Sequence, residues 1–243
     1  MLIDWSYPDR LLLELADLPR DPLPEAVRGH EAALRTVARW ASDYLTNPHP
    51  ELGRKGPVCP FAQASMDRGT FYLGLYRGVP ADRNEVAATL TYYRDWFLEM
   101  GPSRGTAAQF RTMLVLFPEV PADDLTRFID ESQEALKIDY VSHGLMIGEF
   151  HDAPPDKAGL WNDDFRPLHS PVPLLAIRHM VPTDLPFLSH DRDYMAAYLR
   201  RFSYDDIPAR LRAMVDEAAT TLGFEVPSPT PSPRPMAHTA ELT

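Results

Sequence analysis

The chain has 243 residues, of which 44% are hydrophobic, and it carries a formal net charge of −11. Phosphate backbones are bound by clustered Lys and Arg, so this acidic balance argues against a nucleic acid as partner. The single cysteine excludes an intramolecular disulfide and a cysteine-rich zinc site, and it is typical of a reducing compartment. Since no apolar run is long enough to cross a bilayer and no signal peptide is evident, we expect a cytoplasmic protein without membrane contact.

The first part of the chain combines leucines with aromatic residues. Trp5, Tyr7 and the leucines near position 12 predict a short packed helix, followed by a proline-rich turn over 17–24. Apolar residues then recur at helical spacing, which predicts a long helix over 24–46. The loop 47–58 follows and leads to the cysteine.

The rest of the chain alternates apolar runs with amphipathic segments. Strands are predicted over 70–76, 110–117, 144–150 and 174–180, and helices over 60–67, 82–100, 123–140, 191–202 and 205–222. A long loop over 152–171 suggests a function or an insertion. The pattern predicts an α+β fold in which residues 1–225 form a single domain, with a small central sheet of about four strands flanked by helices. Residues 226–243 form a Pro/Ser-rich tail that we expect to be disordered.

The stretch of greatest chemical interest is Gly-Pro-Val-Cys-Pro-Phe at 56–61. Pro60 suits the first position of a helix, which would make Cys59 the N-cap with backbone N–H groups aimed at its sulfur. A helix N-terminus stabilises negative charge, so this geometry favours a thiolate. A thiolate can be a nucleophile, a redox centre or a soft metal ligand, whereas a buried structural thiol is the ordinary alternative.

Several common signatures are absent from the sequence. The chain has no Gly-x-Gly-x-x-Gly, no phosphate-binding loop, no His-Glu-x-x-His and no Gly-x-Ser-x-Gly. Dinucleotide, nucleoside triphosphate and zinc-protease functions therefore lose their usual support. A Cys-Pro dipeptide that opens a helix is one way in which proteins ligate haem iron.

The run at 56–61, followed by the aromatic strand at 70–76, resembles an actinobacterial family that carries this motif. More distantly it is similar to the YqcI/YcgG family, whose members include small haem-dependent N-hydroxylases of guanidino compounds. The resemblance covers roughly residues 50–76, with a fainter echo at 173–180. It implies haem b as cofactor, Cys59 as the thiolate ligand and Phe61 as the aromatic packed beside it. In this chain an alanine follows Phe61, where the distant family tends to have glycine.

Other candidate residues follow from their chemistry. Haem propionates need cations, and Arg54, Lys55 and Arg178 are candidates together with Arg68, although each is also an ordinary surface charge. Arg178 and His179 interrupt an apolar strand and should point to opposite faces of it. His143, His151 and Glu149 flank the third predicted strand and are candidates to line a distal pocket. His143, Glu149 and His179 are the candidate catalytic residues. A helix C-cap for His143 and a hydrogen-bonded core position for His179 are the competing interpretations.

Three functions are consistent with these residues. The first is a haem-thiolate monooxygenase of secondary metabolism that N-hydroxylates a small amine or guanidine metabolite. Its electron donor is not identified by the sequence, and a homodimer is a further expectation. The second is a non-catalytic haem sensor or accessory protein. The third is a metal-free cysteine nucleophile that uses His143 or His179 as its base.

Overall fold

The computed structural model describes residues 1–4, 10–101 and 108–224. One compact unit comprises Met1–Val181 and a second begins at Pro182. The predicted tail and the aromatic pair Trp5 and Tyr7 lie outside the described residues. No helix in the described ranges is both long and apolar enough to span a bilayer.

A single six-stranded sheet organises the first unit, so the chain is α+β as predicted, with two strands more than expected. The strands are β1 (Leu2–Ile3), β2 (Leu11–Glu14), β3 (Phe71–Leu75), β4 (Thr112–Leu116), β5 (Leu145–Phe150) and β6 (Leu174–His179). Their order across the sheet is β1-β2-β3-β4-β6-β5. Only β3 and β4 pair in parallel among these strands, and the last strand in sequence, β6, lies between β4 and β5.

The helix expected near the N-terminus is instead part of this sheet. Leu11, Leu12 and Leu13 are all buried, and they alternate between two hydrophobic cores on opposite sides of β2. A continuous apolar run fits a strand that is covered on both faces as well as it fits a helix. The sequence pattern alone therefore did not separate the two structures.

The α-helices are close to their predicted positions. They are α1 (Glu31–Trp40), α2 (Ala62–Asp67), α3 (Arg83–Glu99), α4 (Glu131–Ser142), α5 (Arg192–Arg201) and α6 (Ala209–Leu222). The long first helix begins later than expected because Gly29 adopts a left-handed φ of 85° just before it. Two π-helical turns, at Ala41–Leu45 and Thr126–Asp130, extend α1 and precede α4. Such turns are rare and frequently occur at functional sites.

Two cores cover the two faces of the sheet. On one face, which we call the α3–α4 face, Phe97 of α3 and Tyr140 of α4 pack against strand residues such as Ile147 and Ile177. On the other, the cysteine face, Leu34 and Val37 of α1 pack with Leu73, Leu114 and Leu174, and Cys59 joins the periphery of this core. Side chains alternate along each strand, so the odd-numbered and the even-numbered residues of a strand point to opposite faces of the sheet.

Candidate functional site

The cysteine-bearing loop, residues 47–58, is closed by two backbone hydrogen bonds at its base. Val58 N–H donates to the carbonyl of Asn47 at 3.0 Å, and Cys59 N–H donates to the carbonyl of Leu45 at 2.8 Å. Leu45 ends the first π-helical turn, so the cysteine is tied directly to that turn. Arg54 lies across the same loop and donates to the carbonyls of Lys55 and Val58, both at 3.1 Å.

The helix start differs from the sequence prediction by two residues. Phe61, rather than Cys59, is the N-cap of α2, and the Cys59 carbonyl accepts a long hydrogen bond from Ala62 N–H. A bend at 58–59 and a turn at 60–61 precede the helix, so the proline does not occupy its first position. Cys59 is half-buried and uncrosslinked, and its side chain is therefore placed by the turn and the core.

Phe61 connects the cysteine segment to the sheet. The guanidinium carbon of Arg178 lies 5.9 Å from the Phe61 ring centroid, and the Phe61 ring lies 6.4 Å from that of Phe110. The Arg68 guanidinium stacks over Phe110 at 4.3 Å. Arginine over an aromatic ring is a favourable cation–π arrangement. Two of the predicted cofactor-binding residues, Phe61 and Arg178, are thus brought together, while Lys55 is exposed on the loop.

Next to Arg178 the cysteine face carries a strip of small residues. Gly148 of β5 is directly opposite Ala176 of β6, and Met146 is opposite Arg178. Gly148 and Ala176 remain only half-buried although they lie within strands. A Cβ at Gly148 would make an ordinary contact, 3.5 Å from Phe150 Cε2, so crowding does not demand glycine there. Glycine inside a strand can mark a place where a ligand approaches the backbone.

A row of aromatic rings borders this face. Trp40 lies 5.8 Å from Phe150 and 5.9 Å from Tyr44, and His49 lies 6.0 Å from Tyr44 and 4.7 Å from Phe165, measured between ring centroids. Burial raises the pKa of Tyr44 to about 12, so the phenol stays protonated and donates to the carbonyl of Pro167 at 3.0 Å. The indole nitrogen of Trp40 is buried without a hydrogen-bond partner among the described residues, which is costly for a polar atom.

Glu149 belongs to a separate polar cluster on the α3–α4 face. Its carboxylate is 2% exposed and contacts the Lys157 ammonium, which also lies 3.1 Å from Oε1 of Gln133. Burial raises the pKa of Glu149, and the neighbouring Lys157 opposes the rise. His151 follows on the same face, with Nε2 2.9 Å from a carboxylate oxygen of Asp130. This cluster is a buried ion-pair network with one partly exposed lysine.

The remaining candidate bases also lie apart from the cysteine. His179 is buried on the α3–α4 face, 4.9 Å from the Phe97 ring and 3.5 Å from Arg111. His143 is the exposed C-cap of α4 and is paired with Asp139. The predicted opposition of Arg178 and His179 across the strand is confirmed by their contacts. The structure therefore groups Cys59, Phe61 and Arg178 on one face, and Glu149 and His179 on the other.

Sequence reasoning did not identify the strip of small residues, the aromatic row or the Asp130–His151 pair. Gly148 within a predicted strand was an available signal for the strip. The pair joins residues 21 positions apart, and no local pattern encodes such a contact. A cavity of about 630 Å³ is bordered by Tyr72, Trp96 and Glu99 among others, and its described lining does not include Cys59.

Within the described ranges, no three His, Cys, Asp or Glu side chains come together in a way that could hold a metal ion. No curated protein and no solved structure matches the chain. A family model described as "Domain of unknown function (DUF6875)" matches residues 34–214, a segment that includes Cys59, the strip and the polar cluster. With most of its length covered by that model, the chain belongs to the DUF6875 family.

Proposed function

We propose that the protein is a haem-thiolate monooxygenase that N-hydroxylates a small amine or guanidine, with Cys59 as the residue that would hold the haem iron. The observation that supports this most directly is the contact between Phe61 and Arg178. It joins the cysteine segment to a half-buried strip of the sheet on the same face. A flat apolar cofactor needs such an uncovered surface beside its ligand.

The residues of this face have the chemistry that haem requires. Cys59 offers a soft sulfur ligand, and Phe61 offers an aromatic surface beside it. Arg178 offers a guanidinium for a propionate carboxylate, a geometry in which arginine binds bidentately. Arg54 is directed to backbone carbonyls of the cysteine-bearing loop, where it shapes the loop, and Lys55 is free to reach a carboxylate from the surface.

Bound haem would supply oxygen activation, with electrons from an external donor. The chain would bind the cofactor, orient the substrate and hold protons. His49 shows how one proton is held on this face. Its Nδ1 accepts the backbone N–H of Glu51 at 3.2 Å, and since an amide N–H can only donate, the neutral ring carries its proton on Nε2. Glu149 and His179 lie on the opposite face, so we do not assign them to this proton transfer.

The other two functions are distinguished by their requirements. A haem sensor would use the same ligand and the same strip without turnover. A cysteine nucleophile needs a base within hydrogen-bond reach, but His179 lies across the sheet from Cys59 and His143 closes a helix of that other face. Neither histidine named as the base for this function therefore lies on the face that carries Cys59.

The test is the absorption spectrum of the full chain expressed with a haem precursor, oxidised and then reduced under carbon monoxide. We expect a Soret band in the wild type, a displaced or lost band in Cys59→Ala, and weaker haem retention in Ala176→Leu because the leucine fills the strip. Ala32→Leu, at an exposed position of α1, is the matched control and should retain haem fully. Lack of a band in the wild type, or a band indifferent to loss of Cys59, refutes the proposal. Haem binding without amine-dependent oxygen consumption would indicate the sensor.

A further inference from the structure

The long loop after β5 packs on the cysteine-bearing loop. We call residues 152–171 the strap. Asn162 of the strap donates to the carbonyl of Glu51 at 2.9 Å, and Phe165 stacks on His49 at 4.7 Å between ring centroids. Trp161 lies so close to Gly53 that a Cβ on the glycine would overlap its carbonyl oxygen. The middle of the cysteine-bearing loop is therefore held by the strap as well as by its own base.

The beginning of the strap is tied to the opposite face of the sheet. Lys157 extends its ammonium to Glu149 of β5, with Gln133 Oε1 at 3.1 Å and a Glu134 carboxylate oxygen at 3.9 Å. Further along, Ser170 N–H donates to the carbonyl of His151 at 3.0 Å. The strap thus runs around the edge strand β5, anchored by an ion pair on the α3–α4 face and in contact with the cysteine-bearing loop on the other.

The Glu149–Lys157 ion pair has more negative than positive charges around it. The groups facing Glu149 are Lys157 from the strap and Asp130 from the π-helical turn. Asp130 is itself paired with His151, which directly follows β5. Glu134 adds a further carboxylate beside the lysine. Since burial raises the pKa of Glu149, its carboxylate takes up a proton at a higher pH than an ordinary glutamate does. A neutral Glu149 no longer attracts Lys157 by its charge.

We propose that the Glu149–Lys157 pair is an acid-released latch, which holds the strap over the cysteine-bearing loop and thereby controls access to Cys59. At a pH above the pKa of Glu149 the latch is closed, and the cysteine-bearing loop is protected from opening. Below that pH Glu149 remains buried in β5 but no longer attracts Lys157 by its charge, so the strap loosens and residues 47–58 open more often. The latch acts on the same cysteine as the proposed haem site, but it concerns loop opening and does not depend on a cofactor.

The test measures loop opening in the full chain by amide hydrogen exchange of residues 47–58, in protein as purified. The variants are Glu149→Gln and Lys157→Met. Asp156→Asn is the matched control, because it removes the exposed Asp156–Arg166 ion pair within the same strap and leaves the latch intact. We expect about three-fold faster exchange in the latch variants at neutral pH, the effect of losing one partly exposed ion pair, and wild-type rates in the control.

The pH profile separates a latch from a merely structural contact. The protection factor, which is the intrinsic exchange rate divided by the measured one, is compared at each pH. In the wild type the protection of residues 47–58 should fall, as the pH is lowered and Glu149 takes up its proton, to the value found in Glu149→Gln. In Glu149→Gln the protection should not change with pH. Labelling of the single cysteine by a maleimide, in protein without haem, should follow the same order of variants. Equal exchange in the wild type and both latch variants, or equal acceleration by Asp156→Asn, would overturn the proposal. A haem spectrum unaffected by Cys59→Ala would refute the proposed function but leave this result untouched.

Discussion

Replacing Gly53 with alanine tests the contact between the two loops most directly. Gly53 ends the short helical turn at Pro50–Leu52 with a φ of 74°, a left-handed conformation that costs an L-residue about 1–2 kcal/mol. The added Cβ would also overlap the carbonyl oxygen of Trp161. Relief of that overlap requires a backbone shift, and overpacking of this kind costs roughly 1–3 kcal/mol. We therefore expect a total loss of about 2–5 kcal/mol from the free energy of unfolding.

Gly29→Ala provides the matched control. Gly29 has a similar φ of 85°, but a Cβ there would have no atom of a described residue within 4 Å. It should lose only the left-handed conformational cost, about 1–2 kcal/mol. Urea denaturation followed by circular dichroism gives both values, with an unchanged slope as the sign that the same surface unfolds. Equal losses at Gly53 and Gly29 would refute the close packing of the strap on the cysteine-bearing loop.

Three further predictions concern single side chains. Ser65→Ala should leave stability unchanged or slightly higher in urea denaturation, because the buried Ser65 hydroxyl has no hydrogen-bond partner within the described part of the chain. A clear loss would reveal a partner. Asp82→Ala should cost about 1 kcal/mol in the same assay, since Asp82 accepts the Glu85 N–H at 3.0 Å as the N-cap of α3, and a loss near zero would contradict this cap. The raised pKa of Glu149 means that the folded state binds more protons there than the unfolded state. Global unfolding exposes Glu149 to water, unlike the local opening of the strap. The wild type should therefore lose global stability relative to Glu149→Gln as pH rises from the ordinary pKa of a glutamate through the raised one, whereas parallel pH profiles would contradict the shift.

The amphipathic elements of the fold could be predicted from sequence because their periodicity is local. The strand at Phe71–Leu75 and the helix at Arg83–Glu99, with its aspartate cap, lie where the pattern indicated. Leu11–Glu14 was mistaken for helix because a strand buried on both faces has no alternation to reveal it. The cap of α2 was displaced by two residues, since turns before a short helix leave little trace in composition.

The candidate site was harder to predict because its parts meet only in the folded sheet. The motif around Cys59 was evident from its residue types, and so was the opposition of Arg178 and His179. The proximity of Phe61 to Arg178, 117 positions later in the chain, depends on the register of β6 between β4 and β5. Glu149 was identified from the sequence as a titratable group near a strand. Its position in the alternation of β5 directs it to the face of the sheet opposite Cys59.

The position of β6 has a consequence for synthesis of the chain. Residues 174–179 are translated last among the strands, yet they occupy the space between β4 and β5. Until they emerge from the ribosome, β4 has no partner on its β6 side, and its apolar Leu114 and Val115 lie beside unpaired backbone groups. Such an edge is a template for pairing with another chain. The nascent protein is therefore most exposed to aggregation in the interval between translation of β5 and of β6, and a chain truncated before residue 174 should require a chaperone to remain monomeric.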